Sequence, residues 1–493
     1  MAGDDTNTAV GSYSPTTGFI FLFNLIVGTG ALTIPHAFAQ VGLIYGACAL
    51  LLLSCMSYIS GTYVIEAIAG VNALQGLRAS KDGAVPRKTL DVTPESSTGT
   101  IEDGASEAVP FLVHTEELEQ AEEEYVSGLH FDISKKVEMA VIASELFSPR
   151  GLMAFYACVI AYLYGDLAIY AVAIPKSLRE VICPRPSMTQ AVWDCPHVHM
   201  DSTVLYRLLV TLFGLMLGPF AMGHMQKTAL IQVATTVMRH LSFTLMIILA
   251  CVGIAHGEGR PVAEVVAHEN LSYLPNFFGI CIYSFMCHHS LPGIIAPISK
   301  KRSVGFIFAT AFIAVFVLYI VLSFSATFRF HPDEIEDVYT LNFTKFPNAF
   351  IAYFLSLFPV FTLSTSFPII SITLRENLRT LFHANPAAGY LSDMTFFGLV
   401  AVGPPLLVAV FTDDVGMLVG ITGAYAGLGI QWVIPAAFVY ALRARLAHVQ
   451  TQLKLQGAPK NPYASAFGGF AWLAVLFGFS AVSLVLITYT RVF

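Results

Sequence analysis

Charge is what this sequence has least of. Of 493 residues only 12% are Asp, Glu, Lys or Arg, against roughly 25% in soluble domains, and this scarcity excludes a water-soluble globule. No basic cluster stands out, and the net charge of -7 comes from acid concentrated in one segment, so nucleic acid is not an expected partner. The eight cysteines lack the paired spacing of a zinc or haem site. The opening stretch MAGDDTNTAVGSYSP has no positive n-region, which argues against a cleaved signal peptide. Asp166 has no second intramembrane Asp as partner, and the adjacent His288 and His289 point to different helix faces. These gaps leave neither the paired acids of an aspartyl protease nor a metal-ligand set. No catalytic activity, metal or cofactor is expected.

What is present is apolar: 55% hydrophobic residues and a mean hydropathy of +0.67. Runs near the length that crosses a bilayer fall at 16–38, 42–69, 151–175, 203–221, 238–256, 276–298, 304–327, 349–373, 394–411, 415–440 and 467–489. Eleven crossings put the two ends of the chain on opposite sides. With the N-terminus inside, 18 of the 26 Lys and Arg are cytoplasmic, as the positive-inside rule requires. The same count places Asn270 (NLS), Asn342 (NFT) and the pair Cys183 and Cys195 outside, where glycans and a disulfide form. The chain thus divides into a cytoplasmic N-terminus (1–15), two spans (16–71), an acidic segment rich in Glu, Ser, Thr and Gly that reads as a disordered cytoplasmic loop (72–135), and nine further spans (136–490). The bilayer is its certain partner, and both plasma and endolysosomal membranes remain open.

Two spans carry their own breaks. FNLIVGTGALTIP (23–35) has two glycines and a proline inside an apolar run, and FGICIYSFMCHHSLPGIIAPI (278–298) has His288 and His289 followed by Pro292, Gly293 and Pro297. In hydrocarbon an unpaired backbone group is costly, so interrupted helices persist only where protein or a watery cavity surrounds them. The two spans are the first and the sixth. Breaks five helices apart point to a two-fold repeat transporter with its site at the bilayer midplane.

FNLIVGTGALTIPHAF resembles the first span of the amino acid/auxin permease family, with its Asn-x-Ile-Val-Gly-x-Gly-x-Leu-x-x-Pro-x-Ala-Phe pattern. YSFMCHHSLP resembles that family's sixth span and YLYGDLAIY its third. The resemblance implies an all-α membrane fold of the LeuT-like kind, a 5+5 inverted repeat with broken first and sixth helices and an added eleventh. It also implies amino acid transport. A substrate carboxylate would lie at the backbone of Gly28, Thr29 and Gly30, with Ser284, Phe285 and His288 of the sixth span touching the rest of the molecule. In sodium-coupled relatives the first-span motif and eighth-span hydroxyls surround a cation; the matching positions are Asn24, Val27, Ser364 and Ser366.

Asp166 lies well inside the third span, and a carboxylate there must face the interior, be paired or take up a proton. It is the proton-coupling candidate, so the coupling ion is H+ or Na+. His288 and His289 are further titratable groups. The expected function is secondary active transport of a small organic solute, most simply an amino acid. The alternative is a sensor on the same fold that binds an amino acid and signals through a partner.

Overall fold

The computed structural model describes residues 13–83, 130–186, 192–196, 198–223, 229–382, 390–452 and 460–492. Nearly all of the N-terminal segment 1–15, and the stretch 84–129 of the acidic segment, lie outside them. Among the described residues ten helices are long and apolar enough to cross a membrane, and one bent pair, Pro15–Ile26 with Gly30–Val41, makes an eleventh candidate span with a 55° bend.

Loops that follow odd-numbered spans meet one another, and so do those that follow even-numbered spans. At one end Gly42, after the first span, bridges to Glu269, after the fifth; the Glu269 carboxylate accepts from the Ile44 and Tyr45 N–H groups at 2.7 and 3.3 Å and so caps the second span. Gly42 sits at φ 102°, a conformation open to glycine, and a Cβ there would come within 2.3 Å of the His268 carbonyl. The loops after the third, seventh and ninth spans meet in an ion network. Lys176 Nζ is 2.5 Å from Asp337, and Arg179 is 2.9 Å from Asp413 and 3.1 Å from Glu180. Burial alone would raise the Asp337 and Asp413 carboxyls, but Lys176 holds both below the usual range, aided by Arg179 at Asp413. Beside them Cys183 and Cys195 are joined by a disulfide, and the Arg179 guanidinium lies 4.9 Å from the Trp193 ring.

At the opposite end, Tyr13 pairs with Pro297 and Ser299 after the sixth span. Arg375 donates to the Ala221 and Gly223 carbonyls at 2.6 and 2.9 Å, and Arg379 holds Asp393 at 2.6 Å. Burial pushes the Tyr13 phenol up to about 12.

Two expected boundaries move. The second span continues as helix from Leu43 to Gly83, into the segment read as loop from 72. Good helix formers (Ala73, Leu74, Gln75, Leu77, Arg78) favour this, and Asn72 Nδ2 reaches the Asp132 and Lys135 carbonyls at 2.8 and 3.2 Å, with Ile133 and Val137 buried. The fifth span is helical from Ala229, ahead of the expected 238, which sets Arg239 about ten residues inside that helix instead of at its start. Asp166 is also not the lone buried acid: Glu66, 4% exposed, holds Arg443 in a two-pronged pair at 2.8 Å.

The third span (Pro149–Ile182) and the eighth (Ala349–Leu381) make the most extensive helix contact, and the first, sixth and seventh spans form a second packed group. The sixth and tenth spans touch backbone to backbone: a Cβ at Gly279 would meet the Gly420 carbonyl oxygen at 2.0 Å, and one at Gly423 the Gly279 carbonyl oxygen at 1.9 Å.

The two glycan acceptors differ. Asn342 Nδ2 donates to the Glu334 carbonyl at 2.6 Å while its Oδ1 accepts from the Glu336 N–H at 2.9 Å, so both ends of the amide are engaged. Asn270 uses only Oδ1, accepting from Ser272. Asn270→Gln should therefore remove most of any glycosidase-sensitive shift in gel mobility, whereas Asn342→Gln should leave it. An unchanged shift in Asn270→Gln would put the glycan elsewhere.

Candidate functional site

In the first span the helix stops at Ile26 and restarts at Gly30. The last carbonyls of a helix have no partner within it, and here other spans supply partners. Arg239 Nη1 of the fifth span donates to the Asn24 and Val27 carbonyls at 2.7 and 2.6 Å. The Tyr319 hydroxyl of the seventh span lies 3.2 Å from the Ile26 carbonyl oxygen and 3.0 Å from that of Ser284, bridging the two breaks. Pro35 is inside the second piece, not at the break. The sixth span runs as helix from Leu274 to Ser284, opens at Phe285–Cys287 and resumes as a short helix at Leu291. Pro292 falls in the first turn of that helix, where its missing N–H costs nothing.

Between the breaks is a cavity of about 250 Å³. The first span contributes Asn24, Gly28, Thr29 and Gly30; the third contributes Tyr162, Asp166 and Tyr170; the fifth contributes Arg239. Tyr283, Met286, His289 and Ser290 come from the sixth span, and Ser366, Ile369 and Ile370 from the eighth. The Tyr283 hydroxyl donates to Asp166 Oδ1. The Thr29 hydroxyl lies against Tyr170. Buried polar atoms normally find a partner, yet both amide atoms of Asn24 and His289 Nδ1 have none among the described residues. They are free to meet a ligand.

Residues 137–487 match the family described as transmembrane amino acid transporter protein. The chain belongs to that family. It is also similar along nearly its whole length to transmembrane protein 104: 41% identical to the protein of Gallus gallus and 39% to that of Homo sapiens, each over 97% of both chains. The Drosophila melanogaster homolog is 37% identical over the same share. The chain is thus an integral multi-pass protein of a transporter family.

Of the residues singled out in the sequence, Asn24, Gly28, Thr29, Gly30, Asp166 and Ser366 come together at the cavity. The sixth-span choices do not. Ser284 spends its hydroxyl on the Ile280 carbonyl at 2.6 Å. Phe285, fully buried, stacks on Phe312 with ring centres 6.1 Å apart. His288 turns to the second span, its Nε2 2.9 Å from Ser60 Oγ and 3.2 Å from the Ser57 carbonyl. Its neighbour His289 takes the cavity face, 5.6 Å from the Tyr162 ring. The opened backbone sets this rotation, and periodicity cannot read it. Ser364 stays off the cavity because two residues turn a helix by about 200°, leaving Ser366 alone there with its hydroxyl 3.2 Å from the Thr362 carbonyl.

Gly30 has a packing role as well. A Cβ there would fall 2.1 Å from Ser284 Oγ and 2.7 Å from Ser284 Cα, whereas one at Gly28 would meet nothing nearer than the Ile26 carbonyl oxygen at 4.0 Å. Gly30 holds the two breaks together, and Gly28 faces open space. Arg239 and Tyr319 carried no signal in the sequence beyond being polar in apolar surroundings, and the third-span tyrosines Tyr162 and Tyr170 lie within the YLYGDLAIY motif without having been singled out from it. Among the described residues no group of three His, Cys, Asp or Glu is placed to hold a metal ion.

Proposed function

We propose that this protein is a secondary active transporter carrying a small zwitterion, most simply an amino acid, through the cavity between the breaks, with Asp166 as the group that takes up and releases the coupling proton. The observation that supports this most is the cavity itself. One small chamber holds an acid, a guanidinium, unpartnered polar atoms and the N-terminal end of the second helix piece, Gly30–Val41. That helix end carries partial positive charge suited to a carboxylate. The substrate ammonium group would lie toward Asp166 and the tyrosine hydroxyls.

Uptake of a panel of radiolabelled amino acids by vesicles containing the purified protein tests the reading. One or more should accumulate, and Gly28→Val should suppress that accumulation. Gly28 lines the cavity, and a Cβ there would meet nothing nearer than the Ile26 carbonyl oxygen at 4.0 Å. Overfilling a site costs roughly 1–3 kcal/mol, so affinity should fall about 5- to 150-fold while the protein elutes as a folded species. Uptake unaffected by Gly28→Val would move the site elsewhere. Binding of an amino acid without flux would assign the protein to the sensor class.

A further inference from the structure

The first helix piece, Pro15–Ile26, ends inside the protein with no basic residue in its last turn. A helix C-terminus carries partial negative charge, and its freed carbonyls attract a cation. The cation present is not dissolved. The Arg239 guanidinium reaches in from the fifth span, and a single nitrogen, Nη1, serves the Asn24 and Val27 carbonyls, three residues apart, at 2.7 and 2.6 Å. A bound metal cation would need those same oxygens at roughly 2.3–2.6 Å, inside the volume the guanidinium fills. The two occupants exclude each other. The nearby Ser366 hydroxyl lies within hydrogen-bond distance of its own helix, at the Thr362 carbonyl, and Tyr319 takes up the Ile26 carbonyl between the two that Arg239 holds.

We propose that Arg239 is a tethered cation: a positioning residue that neutralises the broken end of the first span permanently, so that the cation position at Asn24 and Val27 is closed to sodium. The guanidinium has a fixed donor geometry and stays charged throughout the accessible pH range, so the break keeps its shape whatever the ions outside. Removing the side chain uncovers a cavity with two carbonyl oxygens at the negative end of a helix. A small free cation can then enter it.

The test is the unfolding temperature of the purified full-length protein in detergent, with sodium chloride exchanged for choline chloride at constant ionic strength. This readout needs no substrate, so it stands apart from the transport reading and can fail separately from it. Wild type should show the same unfolding temperature in both salts. Arg239→Ala should unfold several degrees lower in choline and recover part of that loss, saturably, in sodium or in millimolar guanidinium. Arg239→Lys, which retains a charge on a shorter reach, should lose less than Arg239→Ala and respond less to either cation. Saturable, sodium-specific stabilisation of wild type would overturn the proposal. So would an Arg239→Ala protein indifferent to both cations. If Arg239→Ala does not fold, the wild-type titration still decides: saturable, sodium-specific stabilisation of wild type refutes the proposal, and equal unfolding temperatures in the two salts uphold it.

Discussion

Asp166→Asn should abolish accumulation driven by a pH gradient while leaving exchange of substrate across the membrane intact. The substitution keeps the shape of the side chain and its place beside Tyr283, so the cavity and its occupant should survive. What is lost is the ability to alternate between a neutral and a charged state. A buried carboxylate inside a membrane bundle is costly; loading it with a proton removes that cost, and unloading restores it. In the proposed cycle this alternation would tie proton movement to substrate movement. In vesicles with an imposed inward proton gradient, wild type should concentrate substrate and Asp166→Asn should reach only equal concentrations on the two sides. Counterflow with preloaded substrate should proceed in both. Gradient-driven accumulation retained by Asp166→Asn would sink the role assigned to the acid, and robust accumulation on a sodium gradient alone, at equal pH, would sink proton coupling altogether.

Gly423→Ala should cost the protein its fold. The added Cβ would sit 1.9 Å from the Gly279 carbonyl oxygen. The obstacle is backbone, which cannot rotate aside, so the sixth and tenth spans must separate and surrender contacts along their length. Forced overpacking costs about 1–3 kcal/mol when side chains can adjust, and this contact falls at or above the top of that range. Gly279→Ala should behave alike, its Cβ meeting the Gly420 carbonyl oxygen at 2.0 Å. Gly478→Ala in the eleventh span has nothing within 4 Å of its Cβ and serves as the control. Thermal unfolding in detergent, with the fraction eluting as a monodisperse peak, reads the difference. A Gly423→Ala protein as stable as the control would mean that the two spans can part at little cost.

Eleven apolar runs, their approximate ends and the two interrupted spans were legible in the sequence, because crossing a bilayer demands a length and hydropathy that linear order displays directly. The residues at the first break were legible for the same reason. A stretch that must unwind in hydrocarbon announces itself by glycine, and Asn24, Gly28, Thr29 and Gly30 all reach the cavity. Asp166 was legible too, since an acid in an apolar run is expensive enough to stand out. The tertiary structure decided everything that depends on rotation and on partners far away in the chain. His289, not His288, faces the cavity, since the opened backbone at Phe285–Cys287 resets the helical phase. Gly30 packs on Ser284 while Gly28 faces space, although the two are alike in sequence. Arg239 is the plainest instance. By sequence it stands at the start of an expected span, and only packing of the fifth span against the first brings its charge to the Asn24 and Val27 carbonyls. A free helix end is satisfied by whatever group the fold delivers to it, and that delivery is a property of three-dimensional packing, to which linear order is blind.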